Sequence, residues 1–241
     1  MSLAGRIAEV QARIEAAALR AGRPPTDVLV VAVSKTVGPD AIATAYQAGL
    51  RHFGENRVEE AQTKIAALRT ALPDITWHMI GHIQSRKAPA MAGWFDWVHS
   101  VERLKVARRL SEAAQAAGRR LPVLLEVNVS GEATKDGFDL AHWPGEPQQF
   151  AAFCAEVEAI LALPGLSVKG LMTMAPFTEE PETVRPLFRR VRQLRDALRE
   201  RYPAADWAHL SMGMTADFEV AIEEGATMIR IGTAIFGPRQ G

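Results

Sequence analysis

The chain has 241 residues, 48% of which are hydrophobic, so it can bury one substantial core, and a disordered or fibrous protein is excluded. Its 28 lysines and arginines balance 28 aspartates and glutamates, so no overall charge favours a nucleic acid or an anionic membrane as partner. The only cysteine, Cys154, excludes an intramolecular disulfide and a zinc site built from cysteines.

The first predicted element is an N-terminal helix, in which Leu3, Ile7, Val10 and Ile14 form an apolar stripe. This segment lacks the apolar core and the cleavage site of a secretory signal. No apolar run in the chain approaches the roughly 20 residues that span a bilayer. We therefore expect a cytosolic protein.

Eight short apolar runs follow, and a segment of helical periodicity comes after each of the first seven. Strands without polar alternation that are separated by helices indicate a parallel sheet covered on both faces, and eight such units favour closure. The pattern predicts one domain over residues 1–241, a (β/α)8 TIM barrel with an extra N-terminal helix; an open doubly wound sheet is the alternative. The predicted strands are 28–33, 52–54, 76–81, 97–100, 121–130, 167–174, 207–213 and 228–232, and the predicted helices are 39–48, 57–71, 85–93, 102–117, 148–163, 183–201 and 216–223.

The ends of the predicted strands carry the candidate site, because barrels of this kind bind ligands at the C-terminal ends of their strands. The longest irregular segment, 130–147, is rich in glycine and proline and is predicted to be a mobile flap at the barrel mouth. The polar residues that end the apolar runs are Lys35, Asn56, His82, Ser100, Asn128, Ser211 and Arg230.

Lys35 directly follows the apolar run VLVVAVS. A lysine at this position would be partly desolvated, which lowers its pKa and makes the neutral amine available to attack an aldehyde. Lys35 is therefore a candidate Schiff-base lysine. The alternative is a lysine that marks the end of the strand and reaches into water.

The last predicted strand is followed by Gly232 and Thr233, where barrels often bind a phosphate with the N–H groups of a short final helix. Ser211 ends the preceding strand and can add a hydroxyl donor, and Gly213 allows close backbone approach. One barrel mouth would then hold both an amine and a phosphate site.

Several motifs together carry a family resemblance that covers the chain almost from end to end. The chain resembles the pyridoxal 5′-phosphate (PLP) homeostasis proteins, which share a fold with the barrel domain of alanine racemase. The motifs are VAVSKTV around Lys35, FGENRVEEAQTK from Phe53, WHMIGHIQSRK from Trp77, HSVE from His99, VNVSGEATKDGF from Val127, GLMTMAP from Gly170, LSMGMTADFEVAIEEGAT from Leu210 and IRIGTAIFG from Ile229.

The resemblance implies a fold-type III PLP-binding barrel with residue roles at matching positions. Lys35 would be the Schiff-base lysine and Arg230 the partner of the pyridine nitrogen. The phosphate would be bound by Ser211, Gly232 and Thr233. Asn56 and His82 would line the site near the ring. The implied function is PLP binding, storage and delivery in vitamin B6 homeostasis, with PLP-dependent apoenzymes as possible recipients and without established turnover.

Other functions stay open at this point. A weak PLP-dependent racemase or decarboxylase would need a second acid–base group at the ring, which in the racemases is a tyrosine of an additional domain. In this chain His82 or a partner subunit would have to supply that group. A cofactor-free Schiff-base aldolase would use Lys35 and leave Arg230 without a role. A purely structural module would explain the helices but not the polar strand ends. The scattered histidines predict no metal, and a monomer is expected.

Overall fold

A computed structural model describes residues 1–132 and 136–238 of the chain. Its parallel strands are β1 (Leu29–Val33), β2 (His52–Glu55), β3 (Thr76–Met79), β4 (Trp97–Val101), β5 (Leu121–Asn128), β6 (Phe138–Asp139), β7 (Leu166–Met172), β8 (His209–Ser211) and β9 (Met228–Ile231). Eight of them form a closed ring, because β9 pairs with β1 and β4 pairs with β5. The two-residue β6 pairs with β5 outside the ring order. The predicted TIM barrel is confirmed, and the open doubly wound sheet was the wrong alternative.

The helices alternate with the strands and cover the outside of the barrel. They are α1 (Leu3–Arg20), α2 (Pro39–Gln47), α3 (Val58–Leu68), α4 (Ala88–Trp94), α5 (Leu104–Ala116), α6 (Pro147–Leu161), α7 (Arg185–Arg201), α8 (Phe218–Glu223) and α9 (Thr233–Phe236). Among the described residues, no helix has the length and apolar character needed to cross a membrane.

The N-terminal helix α1 lies where the apolar stripe predicts it. Ser2 caps this helix, since its hydroxyl oxygen accepts a hydrogen bond of 3.2 Å from the N–H of Gly5. Ile7, Val10 and Ile14 are buried, and the helix packs against α8 and α9. As a result, α1 supports the part of the barrel that follows β8 and β9.

Two helices are preceded by a short turn where their periodicity predicts helix. The segments Ser85–Lys87 and Pro181–Val184 are short 3-10 turns, and α4 and α7 start directly after them. Pro89 and Pro186 occupy the first turn of these two helices. A proline is tolerated there because the N–H that it lacks has no partner within the helix.

The segment predicted to be a flap, 130–147, includes residues 133–135, which lie outside the described residues. Further along, the short strand β6 pairs with the end of β5. Leu140, the residue after β6, is fully buried. This part of the segment is therefore attached to the barrel wall.

The interior of the barrel combines a small apolar layer with many polar side chains. Leu124, Met172 and Met228 form the apolar layer, whereas the main core lies between the strands and the helices. Branched apolar residues ordinarily fill such interiors, so the polar groups need partners inside the barrel. These buried polar residues include His78, His99, Glu126, Ser211 and Arg230.

Candidate functional site

A cavity of about 780 Å³ opens at the C-terminal ends of β1 and β9 and at the loop after β8. We call it the lysine cavity. Parallel strands all end on the same side of the barrel, so residues that are distant in sequence meet there. Its wall includes Lys35, Thr36, Met214, Thr215, Arg230, Gly232 and Thr233.

Lys35 follows β1, is half-buried, and reaches the lysine cavity. The next residue, Thr36, has a φ of 63°, in the left-handed region that residues other than glycine seldom adopt. The Thr36 N–H donates a hydrogen bond of 2.5 Å to Oε1 of Glu60 on α3. Unusual backbone conformations of this kind persist where the surrounding contacts enforce them, so the turn that carries Lys35 is held by the protein.

A buried ion-pair network lies beside this turn. Lys64 of α3 donates from Nζ to the Ser34 carbonyl at 2.6 Å, to Glu55 Oε1 at 2.9 Å and to Glu60 Oε1 at 2.6 Å. The Ser34 hydroxyl also donates to Glu55 Oε1, at 2.6 Å. Burial raises the pKa of Glu55, although its hydrogen bonds to Ser34 and Lys64 act in the opposite direction. The network holds the residues on both sides of Lys35.

This network was not predicted from the sequence. Its signal was present in the motif FGENRVEEAQTK, which places Glu55 in β2 and Lys64 in α3. Lys64 is 6% exposed and Glu55 is fully buried, whereas most lysines and glutamates are exposed unless they are paired.

Arg230 forms the inner wall of the lysine cavity and is 4% exposed. One guanidinium nitrogen, Nη1, donates to the carbonyl of Ser211 at 2.8 Å and to its Oγ at 2.7 Å, and Nη2 donates to the Thr173 carbonyl at 2.8 Å. Burial lowers the pKa of Arg230 to about 10, against the attraction of Glu126 and Asp217. The guanidinium therefore stays charged at neutral pH.

Ser211 does not belong to the wall of the lysine cavity. It is fully buried, and its hydroxyl contacts Arg230 at 2.7 Å and Nδ1 of His99 at 2.9 Å. The loop after β8 reaches the cavity with Thr215 instead. Because β8 ends at Ser211, the strand end lies one layer deeper than the loop that follows it.

Asn56 and His82 follow β2 and β3 and line a second cavity of about 530 Å³, which we call the histidine cavity. His82 Nδ1 lies 3.0 Å from Glu102 Oε2 and 3.2 Å from Asp136 Oδ2. Asn56 Oδ1 is buried and has no hydrogen-bond partner among the described residues. Neither residue contributes to the wall of the lysine cavity.

Glu126 of β5 is a titratable group that the sequence analysis missed. It is 3% exposed, and burial raises its pKa to about 7. The charge of Arg230 opposes this increase, whereas Glu102 and Asp136 add to it. Glu126 precedes the end of its strand by two residues, so a search limited to strand ends could not find it.

Lys35 and Arg230 share the lysine cavity with a backbone segment suited to an anion. Gly232 is the N-cap of α9 and Thr233 is its first residue. The first N–H groups of a helix have no partner within that helix. A ligand that carries a phosphate and a carbonyl group fits this cavity. It could be bound by the Lys35 amine, the Arg230 guanidinium, the hydroxyls of Thr215 and Thr233, and the N–H groups at the start of α9.

Comparison with known proteins adds independent evidence. The family model described as the alanine racemase N-terminal domain matches residues 6–240. A Pseudomonas aeruginosa protein named pyridoxal phosphate homeostasis protein is 47% identical over 238 residues, which cover 99% of this chain and 96% of that protein. Its namesake from Aquifex aeolicus is 43% identical over 240 residues and covers 100% of both chains.

Solved structures of related proteins have the same fold. PipY of Synechococcus elongatus, solved with PLP bound, has a TM-score of 0.82 at 38% identity, with coverage of 98% of this chain and 100% of that chain. An alanine racemase of Clostridium difficile shares the fold, with a TM-score of 0.69 at 15% identity, and covers 95% of this chain and 56% of that chain. The fold and the matched family model define an alanine racemase-type barrel. The chain belongs to the family of pyridoxal phosphate homeostasis proteins, which confirms the resemblance seen in its sequence.

Proposed function

We propose that this chain binds PLP in the lysine cavity, holds it on Lys35 as a Schiff base, and stores or delivers it in vitamin B6 homeostasis. One observation carries the proposal: Lys35, Arg230 and the start of α9 lie around one cavity. The name of the relatives and the PLP-bound PipY structure support the same ligand. The proposal treats residues 1–241 as one PLP-binding domain.

The residues of the lysine cavity fit each part of the cofactor. The amine of Lys35 would attack the aldehyde carbon, and the carbonyl oxygen would leave as water when the carbon–nitrogen double bond forms. Gly232 and Thr233 would bind the phosphate with backbone N–H groups and a hydroxyl. Thr215 supplies the second hydroxyl, the role that the sequence analysis gave to Ser211.

Arg230 would face the pyridine nitrogen and donate a hydrogen bond to it. When bound, PLP supplies a ring that withdraws electrons most strongly if its nitrogen is protonated. A guanidinium has no acceptor and gives up its proton with difficulty, so Arg230 would keep the nitrogen largely unprotonated. This arrangement favours storage of the cofactor over strong activation of a substrate.

The positions of the tyrosines support a role without turnover. Tyr46 hydrogen-bonds Asp74, and Tyr202 hydrogen-bonds the Cys154 carbonyl and Glu158; neither lines the lysine cavity. The second candidate, a weak racemase or decarboxylase, would need an acid–base group at the ring. Glu126, whose pKa burial raises to about 7, lies outside the wall of the lysine cavity as well.

The remaining assignments stay predictions. Asn56 and His82 lie in the histidine cavity, so we assign them no contact with the cofactor ring. PLP-dependent apoenzymes are the proposed recipients, and we expect a monomer with a cytosolic location that needs neither nucleic acid nor membrane. No metal ion is required for any of these roles.

The visible absorption spectrum before and after borohydride tests the proposal. We expect a visible band that borohydride removes, with the reduced adduct mapped to Lys35 by peptide mass spectrometry. The band should be lost in Lys35→Ala and kept in Lys105→Ala, which removes an exposed lysine of α5. A parent protein that takes up no added PLP would overturn the proposal and favour the aldolase.

A further inference from the structure

A row of three histidines crosses the interior of the barrel below Arg230. His52 Nδ1 lies 2.9 Å from His78 Nε2, and His78 Nδ1 lies 2.9 Å from His99 Nε2. His99 Nδ1 lies 2.9 Å from Ser211 Oγ, to which Arg230 also donates, at 2.7 Å. We call His52, His78 and His99 the histidine row. It connects the guanidinium to the opposite end of the barrel.

The inner histidines of the row are neutral. His78 and His99 are fully buried, and burial lowers the pKa of both well below the usual range. The charge of Arg230 lowers the pKa of His99 further. A neutral imidazole carries one N–H donor and one acceptor nitrogen, so each of these residues must donate in one direction and accept from the other.

Arg230 determines the direction of the hydrogen bonds. Its guanidinium donates to Ser211 Oγ, so the Ser211 O–H is left to donate a hydrogen bond to Nδ1 of His99. His99 must then carry its proton on Nε2 and donate to Nδ1 of His78. By the same argument, His78 donates from Nε2 to His52.

The reverse direction is less favourable. The Ser211 oxygen would accept from both Arg230 and His99, and its own O–H would have no acceptor among the contacts of the described residues. A buried donor without a partner destabilises the arrangement that contains it. The forward direction, in which Ser211 donates to His99, His99 to His78 and His78 to His52, satisfies every donor of the row as far as His52. His52 is half-buried.

The row contributes to the stability of the buried cation, together with the longer-range attraction of Glu126 and Asp217. In residues 1–132 and 136–238 no carboxylate lies within ion-pair distance of Arg230, whose hydrogen bonds go to oxygens of Ser211 and Thr173. Aligned hydrogen bonds polarise one another in a low-dielectric interior. With the forward direction, the acceptor side of each imidazole points towards the guanidinium and stabilises its charge.

We infer that the histidine row is a positioning relay, which fixes the Ser211 hydroxyl and thereby the orientation and charge of Arg230 at the wall of the lysine cavity. His52, His78 and His99 do not line that cavity, so they act through Arg230. The contact of Arg230 with the cofactor nitrogen rests on the proposed function. The direction of the row and its effect on Arg230 do not.

The direction can be tested without the cofactor by NMR of protein labelled with ¹⁵N in histidine and arginine. Between about pH 5.5 and about pH 8.5, where an ordinary histidine titrates, we expect His78 and His99 to stay neutral and protonated on Nε2. Single histidine variants assign the signals. A proton on Nδ1 of either residue, or titration near pH 6.5 as in an ordinary histidine, would overturn the inference.

Two variants of one residue test the effect on Arg230. In His99→Asn the side-chain oxygen can replace Nδ1 as the acceptor for Ser211, whereas His99→Leu removes the acceptor. We expect His99→Leu to shift the Arg230 Nε–H resonance and to weaken PLP binding about tenfold, roughly the effect of one hydrogen bond. His99→Asn should largely restore both values.

His209→Asn is the matched control, because His209 is an interior histidine that contacts Thr227 at 3.3 Å and lies outside the row. It should change PLP affinity less than twofold. If the Arg230 resonance is identical in His99→Leu, His99→Asn and the parent, the relay is wrong. If the resonance shifts as expected but the parent binds no PLP, the relay stands and the proposed function fails. Thermal unfolding verifies that each variant is folded.

Discussion

The two cavities at the barrel mouth are both lined by charged residues, but they differ in the contacts that hold those residues. The lysine cavity has Lys35 and Arg230 in its wall, and buried networks hold both residues. In the histidine cavity, His82 lies against the carboxylates of Glu102 and Asp136. The comparison indicates that the proposed PLP site differs from the histidine cavity in the buried networks that hold Lys35 and Arg230 in place.

The largest expected effect comes from the ion-pair network beside Lys35. In Lys64→Met, Glu55 keeps its burial but loses its cation, and breaking a buried pair typically costs about 3–5 kcal/mol. Urea unfolding should show a loss of this size. Lys87→Met is the control, because the Lys87 pair with Glu59 is exposed and should contribute less than about 1 kcal/mol. Equal losses in the two variants would contradict a special role for the buried network.

The second effect concerns Glu126, which interacts with Arg230 of the lysine cavity and with Glu102 and Asp136 beside the histidine cavity. Its pKa in the folded state is raised from 4.5 to about 7, so ionisation opposes folding. The contribution of Glu126 to the free energy of unfolding should therefore fall as the pH rises from about 4.5 to about 7 and change no further above that. Glu126→Gln should abolish this fall, a difference of up to about 3 kcal/mol at pH 8.

Denaturant titrations of parent and Glu126→Gln at a series of pH values measure this difference. Glu146→Gln, which changes an exposed glutamate at the N-cap of α6, is the control and should follow the parent. Parallel curves for the parent and Glu126→Gln would show that Glu126 has an ordinary pKa.

The third prediction concerns the stability of two variants, each with an alanine in place of a glycine from one of the cavities. A Cβ at Gly81, beside the histidine cavity, would lie 2.5 Å from the carbonyl oxygen of Asn56, whereas a Cβ at Gly232 would come no closer than 3.5 Å to Val33. Gly81→Ala should therefore lose about 1–3 kcal/mol of stability, as overpacking does. Gly232→Ala should fold like the parent, because the added methyl group meets only ordinary contacts. Thermal unfolding separates these outcomes, and an unstable Gly232→Ala would show that the start of α9 tolerates no side chain.

The smallest effect separates the two cavities by ligand affinity. Thr215→Val removes a hydroxyl from the lysine cavity and should weaken PLP binding several-fold, since one hydrogen bond contributes about 1 kcal/mol. His82→Gln changes the histidine cavity and should leave PLP affinity within about twofold, a difference below 0.5 kcal/mol. Fluorescence or absorbance titration with PLP measures both. A larger loss in His82→Gln than in Thr215→Val would place the cofactor nearer to the histidine cavity.

The sequence by itself determined the barrel, since eight apolar runs separated by helical segments allow few other arrangements. It also determined the family, through motifs that cover the chain, and it identified Lys35, Arg230, Gly232 and Thr233, because residues at strand ends must gather at one mouth. These inferences depend on periodicity and local order, which are properties of the chain.

The tertiary structure alone decided which polar residues share a cavity and which support it. It placed Ser211 beneath Arg230 instead of in the cavity wall, separated His82 from Lys35, and brought Lys64 under the β1 turn. The histidine row joins residues of three strands that are more than 20 positions apart. The physical reason is that depth along a strand and strand pairing in the closed ring decide which side chains meet, and neither can be read from a local pattern.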